Sequence, residues 1–209
     1  MLVLGVDPGL ARTGVAVVSG RPGSLQLVEA VCIETRPGRP DAARLLAVFE
    51  ALDALVLRLR PEVAAVEKLF FATNRRSAMR VSEARGAALC AIARHGVTVA
   101  EYTPLQVKEA VAGWGAAEKR QVGRMVAALL GENGIAGPDD VADACAVAVC
   151  HHHRAGLSAL ALRQGADPGT EGRAPSPPAA HGGETVRMSV ALRAAVERAA
   201  QAAATEPGG

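Results

Sequence analysis

Leu2-Val3-Leu4-Gly5-Val6-Asp7-Pro8-Gly9-Leu10-Ala11-Arg12-Thr13-Gly14-Val15-Ala16-Val17-Val18 is the stretch on which the fold turns. An apolar run ends on an acid, Pro-Gly reverses the chain, and a second β-branched run follows. That is the pattern of two strands joined by a turn. An acid at the end of a buried strand is costly to keep unless a cation compensates it. The arrangement recurs where Val63-Ala64-Ala65-Val66 ends on Glu67, and Asp140 and Asp143 stand just before the apolar residues 144–149.

Outward from this stretch, residues 25–33 continue as a third strand after the turn Gly20-Arg21-Pro22-Gly23, giving an antiparallel meander. Apolar residues at Leu45, Val48, Phe49, Leu52, Leu55, Val56 and Leu59 follow helical spacing, with Asp41 as cap and Pro61 beyond the end. A short strand at 63–66, a helix at 76–94 and a fifth strand at 97–102 come next. Helices follow at 104–112, 117–130 and 140–152, with a loop at Gly113-Trp114-Gly115. Three strands followed by alternating helix and strand predict an α/β fold: a mixed five-stranded sheet with helices on both faces.

This layer is expected to end near residue 157. Nine of the nineteen residues 165–183 are Gly or Pro, a linker composition that cannot bury a core. Residues 158–209 therefore read as a Gly/Pro/Ala-rich tail, with a marginal short helix near 188–204.

Half of the 209 residues are apolar and the formal net charge is +2, so bulk charge does not announce a nucleic-acid binder and any basic surface must be local. The opening run lacks a basic n-region and is broken by Asp7 and Pro8, unlike a signal peptide. No run approaches the ~20 apolar residues of a membrane helix. The chain reads as soluble and cytoplasmic, with Cys32, Cys90, Cys145 and Cys150 as buried reduced thiols.

Asp7 and Glu67 end separate strands. If those strands are parallel neighbours, both acids enter one crevice at the carboxyl ends, where α/β sheets collect ligands. Asp140 and Asp143, at i and i+3, share a helix face and could close over it. Four adjacent carboxylates raise one another's pKa values. Two Mg²⁺ ions would relieve that and would suit in-line hydrolysis of a phosphodiester. Singly, Asp7 could cap a turn, and Asp139 or Asp140 could cap the last helix. Asp143, inside an apolar helix, and Glu67, after four apolar residues, are harder to explain that way.

The blocks Gly5-Val6-Asp7-Pro8-Gly9-Leu10-Ala11-Arg12-Thr13-Gly14, Val66-Glu67-Lys68-Leu69-Phe70-Phe71 with Asn74 and Ser77-Ala78, and Glu83-Ala84-Arg85-Gly86 together resemble the RuvC family of bacterial Holliday-junction resolvases. So do Tyr102-Thr103-Pro104-Leu105-Gln106-Val107-Lys108, Gly113-Trp114-Gly115-Ala116-Ala117-Glu118-Lys119-Arg120-Gln121-Val122 and Asp140-Val141-Ala142-Asp143-Ala144. The six blocks fall in family order and span residues 1 to about 155. The resemblance implies an RNase H-like fold, a homodimer, and paired nicks of like polarity at a four-way DNA junction with Mg²⁺ or Mn²⁺. It implies metal ligands at Asp7, Glu67, Asp140 and Asp143, with Asp139 second to Asp140, where some members carry His. It implies catalytic or phosphate-contacting lysines at Lys108 and Lys119, a base-stacking Phe70, and the branch-migration proteins RuvA and RuvB as partners.

The residues themselves are compatible with these roles. An ammonium near the metals would stabilise charge developing on phosphate oxygens, whereas the usual fate of a lysine is a solvated helix face. Phe70 and Phe71 point opposite ways in an extended segment, so one faces out. Arg75, Arg76, Arg80 and Arg85 make the following segment basic: a solvated face, or a phosphate track beside a nuclease site. Met79, Val81, Ala84 and Ala88 would supply a dimer contact. His151-His152-His153 reads as a polar or cationic helix terminus, because consecutive helical residues point about 100° apart and cannot share one ion well. Two other readings compete: a phosphate loop of actin-like or sugar-kinase type at Asp7-Pro8-Gly9 with Thr13-Gly14, and a non-catalytic junction-binding module of the same fold.

Overall fold

The computed structural model describes residues 1–68 and 75–163, and at 75–77 and 158–163 the backbone alone. The strands are β1 (Leu2–Asp7), β2 (Arg12–Arg21), β3 (Ser24–Glu34), β4 (Val63–Glu67) and β5 (Thr98–Tyr102). The helices are α1 (Asp41–Leu59), α2 (Arg75–Arg94), α3 (Pro104–Ala112), α4 (Lys119–Leu129) and α5 (Asp139–Arg163). The sheet order is β3-β2-β1-β4-β5. The meander pairs antiparallel, and β4 and β5 join parallel to β1. The expected mixed five-stranded sheet is what forms.

Side-chain alternation decides where the acids point. Leu4 and Val6 of β1, with Ala64 and Val66 of β4, pack against α1 and α2 through Val48, Leu52, Val56, Ala88 and Ile92. Val3 and Ala65 face the other way, into a core with α3, α4 and the apolar run 144–150 of α5. With a period of two, Asp7 and Glu67 continue the Val3 and Ala65 rows, so both project onto the α5 side.

Helix α5 lies unusually close to the sheet, and two glycines make room for it. A Cβ at Gly5 would stand 2.0 Å from the Ala144 carbonyl oxygen, and one at Gly14 would stand 1.8 Å from that of Asp140. Gly14 is also the register partner of Asp7.

The structure corrects several local expectations. Pro40, not Asp41, is the N-cap residue of α1 and makes no side-chain cap bond. Asp41 is the first helical residue and pairs with Arg44 and Arg80. The three histidines do not end a helix, because α5 continues to Arg163. His151 and His152 are buried, and each histidine bonds a different element: Tyr102 Oη with His151 Nδ1 at 2.7 Å, His152 Nε2 with the Val18 carbonyl at 3.1 Å, His153 Nδ1 with the Ala110 carbonyl at 2.8 Å. Burial pushes the His151 pKa down to about 4, with His152 adding to it. Cys145 and Cys150 are buried, but Cys90 is exposed and Cys32 half-buried. Ala84 and Ala88 are fully buried, Ala88 in the core shared with α1, and offer no free dimer surface, whereas Met79 is exposed.

The tail beyond 163, with the helix expected near 188–204, lies outside the described residues. Among the described residues no helix is long and apolar enough to cross a membrane.

Candidate active site

The parallel pairing of β1 and β4 sets Val6 opposite Val66, so Asp7 and Glu67 leave the sheet side by side. The first turns of α5 bring Asp140 and Asp143 over them. Their proximity is felt at Asp7, whose carboxyl is pushed up to about 7: burial contributes most, then the carboxylates of Asp143, Glu67 and Asp140, with Lys119 opposing. Glu67 is raised for the same reasons, burial first and Asp143 next, while Lys119 and Lys108 pull it back. The acids expected from sequence, Asp7, Glu67, Asp140 and Asp143, are therefore neighbours, and both lysines lie within electrostatic reach of them.

Lys119 opens α4. Its Nζ donates to Asp143 Oδ2 at 2.8 Å and lies 3.4 Å from Asp139 Oδ2. The hydrogen bond to Asp143 raises the lysine's pKa, so it is a firm cation. Lys108 is half-buried on α3. That helix is anchored at the same edge of the sheet by a capping box: Thr103 Oγ1 accepts from Gln106 N, and the Gln106 side chain accepts from Thr103 N. Asp139 is largely exposed.

Arg12 is a further residue at the site, one that sequence reasoning alone does not assign there. Its Nε stands 3.0 Å from Asp140 Oδ2. The contact is an ion pair and not a hydrogen bond, so that buried oxygen accepts no hydrogen bond. Strand alternation offered the signal, since Arg12, Gly14, Ala16 and Val18 share the face of β2 that α5 covers. Thr13 is fully buried and locks the turn after Asp7, its Oγ1 donating to the Gly9 carbonyl at 2.8 Å.

Hard oxygen donors, a carboxyl with a strongly raised pKa and a buried carboxylate oxygen that accepts no hydrogen bond fit a divalent cation in kind. Among the described residues, no group of three or more acidic, His or Cys side chains stands as a ready cage for a metal ion. Lys119 and Arg12 already lie against Asp143 and Asp140.

The proposed DNA-contacting residues are placed less fully. Phe70, and the side chains of Arg75 and Arg76, lie outside the described residues. Arg80 is exposed and pairs with Asp41 at 3.2 Å, and Arg85 pairs with Glu101.

The family model for the crossover junction endodeoxyribonuclease RuvC matches residues 3–151. The chain belongs to the RuvC family. It is 51% identical over 153 residues to the RuvC of Pelotomaculum thermopropionicum, covering 73% of this chain and 93% of that one. The solved structure of Thermus thermophilus RuvC in complex with a Holliday junction substrate superposes with a TM-score of 0.72 at 36% identity, covering 76% of this chain and 96% of that one. A yeast mitochondrial Holliday junction resolvase shares the fold, with a TM-score of 0.55 at 14% identity over 77% of this chain and 83% of that one. The RuvC match contains all four acids and both lysines, and the fold is RNase H-like.

Proposed function

We propose that this chain is a structure-selective endodeoxyribonuclease that resolves four-way (Holliday) junctions in recombination and repair by paired symmetric nicks. The observation that carries the reading is the gathering of Asp7, Glu67, Asp140 and Asp143 at the ends of β1 and β4, in a chain of the RuvC family. We assign the activity to residues 1–157 and no role to 158–209.

Asp7, Glu67, Asp140 and Asp143 would hold the metal, two Mg²⁺ ions or Mn²⁺ in their place. Divalent cations supply charge compensation and Lewis-acid polarisation of the scissile phosphate. The protein's own groups do the rest. Asp143 would be one of the residues holding the metal, and the Lys119 ammonium bonded to it is the group that would neutralise negative charge developing on the phosphate oxygens. Lys108, near Glu67, faces the same phosphate from α3. Arg12 steadies Asp140, and Thr13 fixes the turn that aims Asp7. Two strands are nicked symmetrically because a homodimer presents two such sites. In the cytoplasm the expected partners are RuvA and RuvB. Phe70, Arg75, Arg76 and Arg80 are assigned to the DNA.

The test is a labelled synthetic four-way junction, with a matched linear duplex, incubated with Mg²⁺ or EDTA. Paired nicks on the junction alone, dependent on metal and absent in Asp7→Asn, are the expected result. Binding without nicking would leave a junction-binding module instead.

A further inference from the structure

We propose that Trp114, in the loop seated against Leu105 at the start of α3, is a stacking wedge that receives an unpaired base of the junction next to the cleaved strand. The proposal rests on the nuclease reading above and adds to it a residue that discriminates substrate.

Trp114 is the chain's single tryptophan and is 56% exposed; Leu105 is 55% exposed. A large aromatic body left in water is an unusual expenditure of apolar surface. Its position is fixed by neighbours. Tyr102 is the register partner of Glu67, and the Lys68 amide donates to the Tyr102 carbonyl at 2.7 Å. The capping box at Thr103 therefore starts α3 at the edge where Glu67 ends, and Leu105 lies in its first turn. The loop after α3 folds back onto that turn: Gly113 caps the helix with φ +82°, and a Cβ at Gly115 would stand 2.0 Å from Leu105 Cδ1. This close seat fixes Gly115 against the first turn of α3, and Trp114 is the residue that adjoins it.

Charge selects the occupant. Lys108 follows Leu105 by one turn of α3, and Lys119 follows the loop at the start of α4, bonded to Asp143. Two exposed apolar side chains in a segment flanked along the chain by two cations that act on Glu67 match a nucleotide, which offers a π-face and an anion together. In a linear duplex both faces of each base are already stacked. At the crossover of a four-way junction a base can be splayed out, so the wedge distinguishes the two DNAs.

Because the chain has one tryptophan, its own fluorescence reads the contact. The full chain is titrated in EDTA with a dye-labelled junction or linear duplex, and dye anisotropy reports binding in the same samples. The expected result is quenching of Trp114 and protection from acrylamide by the junction and not by bound duplex. Trp114→Ser should weaken junction binding about fivefold to a hundredfold, as loss of one stacked base does. Trp114→Phe should retain most of the affinity, and neither variant should change duplex affinity. Junction binding with unaltered emission, equal quenching by duplex, or burial of Trp114 by self-association without DNA would each overturn the wedge. Absence of junction binding by anisotropy would instead overturn the nuclease reading, and the wedge with it.

Discussion

Gly14→Ala is the sharpest test of how the site is assembled. The new Cβ would lie 1.8 Å from the Asp140 carbonyl oxygen, 2.3 Å from its carbonyl carbon and 2.9 Å from the Val141 nitrogen. All three are backbone atoms of α5, so no side chain can swing aside. Ordinary contact begins near 3.4 Å, and α5 must therefore lift by about 1.6 Å at this point. Its middle is tied to β2, β5 and α3 through His152, His151 and His153. The movement therefore concentrates in the first turns, which carry Asp140 and Asp143. Overpacking of this kind costs about 1–3 kcal/mol. In a chain of this length that lowers Tm by roughly 2–4 °C per kcal/mol. A displacement of about 1 Å at reacting groups costs on the order of a hundredfold in rate. Nicking should therefore fall far more than stability does. Gly123→Ala on α4, where a Cβ would meet no atom within 4 Å, is the control; it should stabilise by up to ~1 kcal/mol and leave nicking unchanged. Thermal denaturation and single-turnover nicking of a labelled junction read both quantities. A Gly14→Ala protein with the parent Tm and rate would refute the idea that the glycines seat α5.

Other outcomes follow from the charges. Asp7 has a folded pKa raised to about 7, so its protonated form contributes stability that is complete below about pH 4 and is lost as pH rises through 7. Asp7→Asn should abolish nicking yet raise the metal-free Tm at pH 8, and Mg²⁺ should stabilise the parent protein more than this variant; a lower Tm would contradict it. His151 behaves oppositely: its folded pKa, lowered to about 4, contributes stability present above about 6.5 and lost as pH falls toward 4. Urea unfolding of His151→Gln should show lower stability than the parent at pH 7.5 and a shallower loss down to pH 4.5. Lys119→Ala should slow nicking by about a hundredfold to a thousandfold, the scale of losing one charge-stabilising group. It should leave junction affinity, measured in EDTA, far less affected.

Much of this molecule was legible because apolar runs ending on acids mark strand ends, and Leu45 to Leu59 carry an unmistakable helical period. Asp7 and Glu67 could be paired on paper from the logic of parallel strands. Asp140 and Asp143 needed a three-dimensional fact, the approach of α5, whose only trace in the sequence is small residues at 5 and 14. The histidines misled because three polar residues after an apolar run resemble an end. Their partners are a tyrosine hydroxyl and two carbonyls from distant strands and helices, which no local pattern announces. Asp41 looked like a cap because acids favour that place, but Pro40 already sets the entry of the chain. Arg12 went unassigned because its role depends on which face of β2 is covered.

The closeness of α5 to β1 has a consequence for the order of events in the cell. The first and last described elements supply the halves of the proposed site, Asp7 from the start and Asp143 from the end. Chains emerge from the ribosome N-terminus first. A nascent chain that has made its sheet but not yet α5 holds at most Asp7 and Glu67, with no helix to complete the set. If these four acids do the cutting, as proposed, that ability arrives only when α5 has left the exit tunnel and docked, and unfinished copies lack it.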